Sequence, residues 1–165
     1  MAAGPKKSLA LDANVLLDLA EEKDFAHEFR EAFATRGYSF LIPPTVIAEL
    51  DLLATLGTAP QRRLADISLG KITTWGCRPF TLSSTDLAIA ARFAARLLDS
   101  RLILETELND GKILAQASLA GIPLLVTSDK HLLDIGEDAL LLAFNEADLP
   151  PVHPAHPRRL MRAVG

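Results

Sequence analysis

"NDGKILAQASLAGIPLLVTSD", residues 109–129, reads as a helix that turns directly into a buried strand. Ile113, Leu114 and Ala117 recur at helical spacing from Asp110, and Gly121 with Pro123 closes the helix. The apolar run "LLVT" follows at once. An acid stands at each end of the unit, Asp110 in the first helical turn and Asp129 just past the strand. Helix followed by a continuous apolar strand is the building block of a parallel sheet covered on both faces.

The same alternation extends outward in both directions. Residues 9–12, 39–42, 78–82, 124–127 and 140–144 read as strands. Helical patterns cover 14–21, 24–36, 44–56, 60–74, 84–99 and 108–120. Gly37 and Gly57 end helices, Pro43–Pro44 stops a strand and starts a helix, and "SSTD" at 83–86 places hydroxyls at a helix start. The prediction is an α/β fold, with a parallel sheet sandwiched between helices. From "LPPVHPAHP" onward the prolines deny regular structure. The folded domain is therefore expected to span 1–149, with 150–165 a flexible Pro/His/Arg-rich tail.

Composition narrows the function classes. Of 165 residues, 49% are hydrophobic and 23% charged, the balance of a globular domain with a real core. No apolar run approaches the roughly 20 residues that cross a bilayer. The start, "MAAGPKKSLALDANVLLDLA", has lysines before an apolar stretch, but Asp12, Asn14 and Asp18 interrupt it and make a poor leader. One cysteine, Cys77, excludes an intrachain disulfide, and a cytoplasmic protein is the expectation. The net charge of −4 argues against a nonspecific nucleic-acid coat. Arg158, Arg159 and Arg162 carry the tail with no acid beside them, so the remainder holds −7. That end reads either as a contact arm or as an ordinary solvated terminus.

The acids carry the chemistry. Asp12 sits inside the apolar run "LALDANVLLDL", at the end of the first strand, where an unpaired charge costs several kcal/mol. Ligands of an open parallel sheet bind beyond the carboxyl ends of its strands, where Asp12 and Asp129 both fall. On the helix "PTVIAELDLLATLG", Val46, Leu50, Leu53 and Leu56 form an apolar stripe, and Glu49 projects inside it while Asp51 does not. Asp110 shares a face with Ile113, Leu114 and Ala117, whereas Lys112 and Gln116 point elsewhere; Glu107, one turn earlier, reads either as an extra acid or as a solvated one, and water is the expectation. Each acid has an ordinary alternative: Asp12 and Asp129 as helix caps, Asp110 as a first-turn residue, Glu49 paired with an arginine. Gathered together, such acids raise one another's pKa unless a cation neutralises them. An all-oxygen set suits Mg²⁺ or Mn²⁺ and suits Zn²⁺ poorly.

In order, "LALDANVLLDL", "IPPTVIAELDLL" and "NDGKILAQASLAGIPLLVTSDKHL" resemble the PIN-domain ribonucleases, which include the VapC-type toxins of prokaryotic toxin–antitoxin pairs. The resemblance spans Leu9 to about Phe144. It implies a three-layer α/β/α fold with five parallel strands ordered 3-2-1-4-5. It also implies that Asp12, Glu49, Asp110 and Asp129 are metal-binding and catalytic acids. Asn14 would support the first acid's loop, and Thr127 and Ser128 would line the crevice. The implied activity is Mg²⁺- or Mn²⁺-dependent hydrolysis of RNA, leaving 5′-phosphate and 3′-hydroxyl ends. A homodimer and an antitoxin partner are implied as well. Ala13 stands where relatives often carry a hydroxyl, and Leu132 and Leu133 stand where many carry an aromatic.

An acidic site needs cations nearby to hold RNA, and Lys112, Lys130, Arg62 and Arg63 are the candidates. Two other classes of function compete. A phosphatase using Asp12 as nucleophile would want a second aspartate at 14, where this chain has Asn14. A non-catalytic PIN-like interaction module would cleave no RNA and would tolerate Glu49→Gln.

Overall fold

The computed structural model describes residues 7–164; residues 1–6, with Lys6 of the leader-like start, and Gly165 lie outside the described residues. Along the chain run β1 (Ser8–Leu11), α1 (Ala13–Ala20), α2 (Asp24–Thr35), β2 (Ser39–Ile42), α3 (Pro44–Leu56), α4 (Ala59–Lys71), β3 (Cys77–Pro79) and α5 (Ser84–Asp99). After a 3-10 turn at Glu105–Glu107 come α6 (Leu108–Leu119), β4 (Leu124–Val126), α7 (Lys130–Leu133), α8 (Glu137–Glu146), β5 (His153–Ala155) and α9 (Pro157–Val164). The five strands pair in parallel in the order β3-β2-β1-β4-β5, with helices flanking the sheet, as the resemblance implies. Leu9, Ala10 and Leu11 of β1 are buried, as a central strand covered on both faces requires. No helix among the described residues is long and apolar enough to cross a membrane.

The fifth strand is not where the sequence reading places it. Residues 140–144 lie inside α8, burying Leu140, Ala143 and Phe144. Those positions are i, i+3 and i+4, so a run of five apolar residues fits a helix as well as a strand. Strand β5 is instead the three-residue "HPA", whose His153 N–H donates to Pro123 O at 2.9 Å and whose Ala155 O accepts from Thr127 N at 3.0 Å. Pro154 is tolerated because β5 is an edge strand. The flexible tail expected from residue 150 is corrected in the same step. Helix α9 packs on α2 and sets Leu160, Met161 and Val164 against the core. Arg36 Nη2 donates to Val164 O at 3.0 Å and closes its last turn. Tertiary contacts supply what local sequence withholds. The strand expected at 78–82 shortens to Cys77–Pro79, and Leu56 leaves the predicted core stripe, 75% exposed.

Helix α6 is the piece that sets the site. It buries seven of its twelve residues, among them Gly111, Ala115, Ala117 and Ser118. Small side chains let α5 come close. A Cβ on Gly111 would stand 2.9 Å from both Cα and Cβ of Ala94, too near for either backbone to give cheaply. Gly111→Ala is therefore expected to destabilise the fold by about 1–2 kcal/mol, reversing the usual helix gain of about 1 kcal/mol from replacing glycine. Urea unfolding of the variant checks this; a more stable Gly111→Ala would show that the helices have room to spare.

Candidate active site

Strand β1 has β2 on one side and β4 on the other, so the chain leaves it in opposite directions and opens a crevice at their carboxyl ends. Asp12 is the first residue past β1, its N–H donating to Val126 O at 2.9 Å across that seam. It is only 3% exposed. Its Oδ1 accepts from Ala13 N at 2.8 Å, so it does cap α1; its Oδ2 accepts from Thr127 Oγ1 at 2.9 Å and Asn14 Nδ2 at 3.2 Å. Asn14 Oδ1 in turn accepts from the backbone N–H of Ser128 at 2.9 Å and from its hydroxyl at 3.1 Å. Thr127 Oγ1 also accepts from Asp129 N at 3.0 Å. Asn14, Thr127 and Ser128 thus stitch the end of β4 to the start of α1.

Asp129 caps α7, its Oδ1 accepting from His131 N at 2.9 Å. The capping readings of Asp12 and Asp129 are therefore correct locally, yet each uses one oxygen and leaves the other for different work. Glu49 arrives on α3, one helical turn after the fully buried Val46 and next to the fully buried Leu50. Its Oε1 is buried without any hydrogen-bond partner. No arginine answers it, which removes the ion-pair alternative: among the described residues Glu49 has no salt bridge. An orphaned buried acceptor is costly and calls for a reason. Asp110 enters on the first turn of α6.

The carboxyl groups feel one another. Burial pushes Glu49 up to about 7, with the Asp12 and Asp129 charges adding to the effect. Burial likewise pushes Asp110 up to about 8, helped by Asp12, Asp129, Glu49 and Glu107. Asp12 is raised chiefly by burial and further by Asp129, against the lowering hydrogen bonds from Thr127, Ala13 and Asn14. Four acids from four separate elements are therefore electrostatically coupled. Among the described residues no group of three or more His, Cys, Asp or Glu side chains is already placed to hold a metal ion. The four carboxyl groups thus lie within electrostatic reach of one another without forming a ready-made ligand set. All the donors are hard oxygens and one is orphaned, which fits a hard divalent cation better than any softer metal.

A family model described as PIN domain matches residues 9–138. The chain belongs to the PIN-domain family. No curated protein matches it. Among solved structures this PIN domain is similar in fold to VapBC2 from Rickettsia felis, solved bound to a promoter DNA fragment. There the identity is 17% and the TM-score 0.61, over 90% of this chain and 98% of that one. Against VapBC-1 from nontypeable Haemophilus influenzae the identity is 12% and the TM-score 0.57, over 92% and 98%. FitAcB from Neisseria gonorrhoeae gives 17% and 0.53, over 90% and 97%.

Within the PIN domain the sequence reading missed three polar residues. Gln116, expected to point away, is 2% exposed: its Oε1 accepts from Thr45 N at 3.0 Å and its Nε2 donates to Thr45 Oγ1 at 2.7 Å. That clasp ties α6 to the first turn of α3 and so relates Asp110 to Glu49. Helical projection from Asp110 alone could not find it, because α6 is buried on more than one face. Asp18 is buried too, accepting from Ser128 Oγ at 3.2 Å and paired with Lys23 at 3.0 Å. Its i, i+4 spacing from Asn14 was the available signal. Glu107, expected in water, has a side chain only 13% exposed. Its Oε1 accepts from Leu104 N at 2.7 Å. Its Oε2 lies 3.1 Å from His131 Nδ1 but without hydrogen-bond alignment, so this contact is an ion pair only when the imidazole is protonated. Of the predicted cations, Lys130 is exposed beside Asp129, and Arg62 and Arg63 are exposed on the first turn of α4; Lys112 is half-buried on α6.

Proposed function

We propose that this PIN domain is a Mg²⁺- or Mn²⁺-dependent endoribonuclease of the VapC type, hydrolysing RNA phosphodiester bonds. One observation carries the reading: the Glu49 carboxyl has a buried, unpartnered oxygen, and burial together with the nearby Asp12 and Asp129 charges raises its pKa. Asp12, Glu49 and Asp110 would hold the cation, and Asp129 would complete the set or orient water through its uncapped oxygen. When bound, the cation supplies Lewis-acid stabilisation of the phosphate and lowers the pKa of water. The chain's own residues do the rest. Thr127 and Asn14 fix the rotamer of Asp12 by their hydrogen bonds to Oδ2. The Gln116–Thr45 clasp fixes α3 against α6. At the β1–β4 seam Asp12 is almost wholly buried.

A phosphatase using Asp12 is disfavoured, because Asn14 spends its amide on Asp12 and Thr127 and its carbonyl on Ser128. A general acid at position 14 is therefore missing. By likeness to the VapBC and FitAcB structures, an antitoxin is the proposed protein partner. A homodimer is proposed from the exposed leucines Leu52 (58%), Leu56 (75%) and Leu87 (40%), which light scattering on the full chain checks. The decisive experiment titrates Mn²⁺ into the full chain by calorimetry while cleavage of single-stranded and structured RNA is followed. Saturable binding with cleavage that EDTA abolishes is expected. A chain that binds no divalent ion and leaves both RNAs intact would leave the non-catalytic module as the better reading.

A further inference from the structure

Resting on the ribonuclease reading, we propose that Arg158 and Arg162 on α9 are the phosphate-backbone contact that holds RNA against the four carboxylates. Strand β5 delivers α9 at the end of the sheet where Asp12 and Asp129 stand. Thr127, which bonds Asp12, donates its backbone N–H to Ala155 O at 3.0 Å, and Arg158 lies three residues further on. A second route closes from α1 and α2: Ser128 bonds Asp18, Asp18 pairs with Lys23, and Phe25 two residues on carries Arg158 above its ring at 4.7 Å. Asp18 also acts electrostatically on His156, whose ring stacks on Phe25 at 5.6 Å.

The arginines are held and yet uncommitted. Pro157 is buried at the start of α9, Arg158 N donates to His156 Nδ1 at 3.1 Å, and Arg36 bonds the carbonyl of Val164 at the far end. The Arg158 guanidinium lies over the Phe25 ring while the residue as a whole stays exposed. Among the described residues neither Arg158 nor Arg162 has an ion-pair partner, although Glu28 shares their hollow. Both line one hollow of about 430 Å³ with Phe25, Glu28 and Met161. They are i and i+4, side by side on the helix. Arg159 turns the other way, into a separate hollow with Glu137 and His153. An arginine fork fits a phosphate in two parallel hydrogen bonds, and a polyanion approaching an acidic crevice needs such contacts at its rim.

The test measures equilibrium binding of a fluorescent single-stranded RNA to the full chain in EDTA, between 50 and 300 mM KCl. Variants are Arg158→Gln/Arg162→Gln and, separately, Arg159→Gln. The double variant is expected to bind roughly tenfold more weakly at moderate salt. Its slope of log affinity against log salt should fall by about 1.4, two phosphate contacts of a single strand. Arg159→Gln should match wild type. Calorimetric Mn²⁺ affinity and melting temperature should be the same for all three, which separates a lost contact from a lost fold. If Gln loosens α9, Arg158→Lys/Arg162→Lys should keep the slope while relaxing the affinity. An unchanged slope in the double variant, or an equal loss in Arg159→Gln, overturns the proposal. If Mn²⁺-dependent cleavage persists in that case, the ribonuclease reading survives it; a wild type that neither binds nor cuts RNA ends both. An unchanged RNA slope, with an oligoglutamate peptide captured by wild type and not by the double variant, would assign the patch to an acidic protein segment instead.

Discussion

Asp12→Ala is expected to lower metal-dependent RNA cleavage by about a thousandfold or more, corresponding to roughly 4 kcal/mol of transition-state stabilisation. Calorimetric Mn²⁺ binding should vanish with it. The informative readout is stability. Asp12 makes three hydrogen bonds, so a residue kept only to cap α1 and bridge to Thr127 would cost about 1–2 kcal/mol when truncated. A buried carboxylate facing Asp129 and Glu49 is instead a source of repulsion in the metal-free chain. Asp12→Asn keeps the oxygen that caps Ala13 and deletes the charge, while its amide replaces the oxygen that accepts from Thr127 and Asn14. The two effects offset, so its stability is expected to lie within about 1–2 kcal/mol of wild type at pH 8 without metal. It should gain nothing from Mn²⁺, whereas wild type should gain. A metal-free Asp12→Asn well below wild type would mean that Asp12 is retained for structure.

The second large effect is the pH dependence of the metal-free protein. A carboxyl whose pKa rises on folding binds more protons in the native than in the unfolded chain between the two values. Its contribution is thus complete below the unfolded value and is lost as pH climbs through the native one. Glu49 moves from 4.5 to about 7 and Asp110 from 3.8 to about 8, so stability should drain between roughly pH 4 and pH 8. Both side chains are half-buried, and solvent screening reduces the total to about 2–3 kcal/mol. That corresponds to a fall in melting temperature of roughly 5–10 °C. Saturating Mn²⁺ at pH 8 should restore about as much, since a ligand at a hundred times its Kd stabilises by about 2.7 kcal/mol. Binding should release protons and be at least about tenfold weaker at pH 6 than at pH 8. A melting curve that rises from pH 5 to 8 in EDTA would contradict the raised acids outright.

Much of the site was legible because its signals are local. Asp12 and Asp129 stand at strand ends beside apolar runs, and Glu49 breaks an apolar stripe, so each is out of place in its own segment. Gln116 was missed for the opposite reason: a polar residue on a helix reads as solvated until a second helix is seen against that face. Glu107 was placed in water on the same logic, whereas its carboxylate turns back to accept from Leu104 N. The arginines of α9 could be counted but not sorted. Only the docking of α9 on α2 separates Arg158 and Arg162 from Arg159.

By itself the sequence determined the alternation of helix and strand, the parallel central sheet and the acids at its carboxyl edge. Those properties are written in apolar periodicity and in helix caps, which act over a few residues. Tertiary structure decided the rest: "HPA" as the fifth strand, 140–144 as helix, and residues 150–164 as part of the fold. Their stability comes from neighbours distant in sequence. Pro123 and Thr127 bond β5, and α2 buries the apolar face of α9, so no local pattern could announce them.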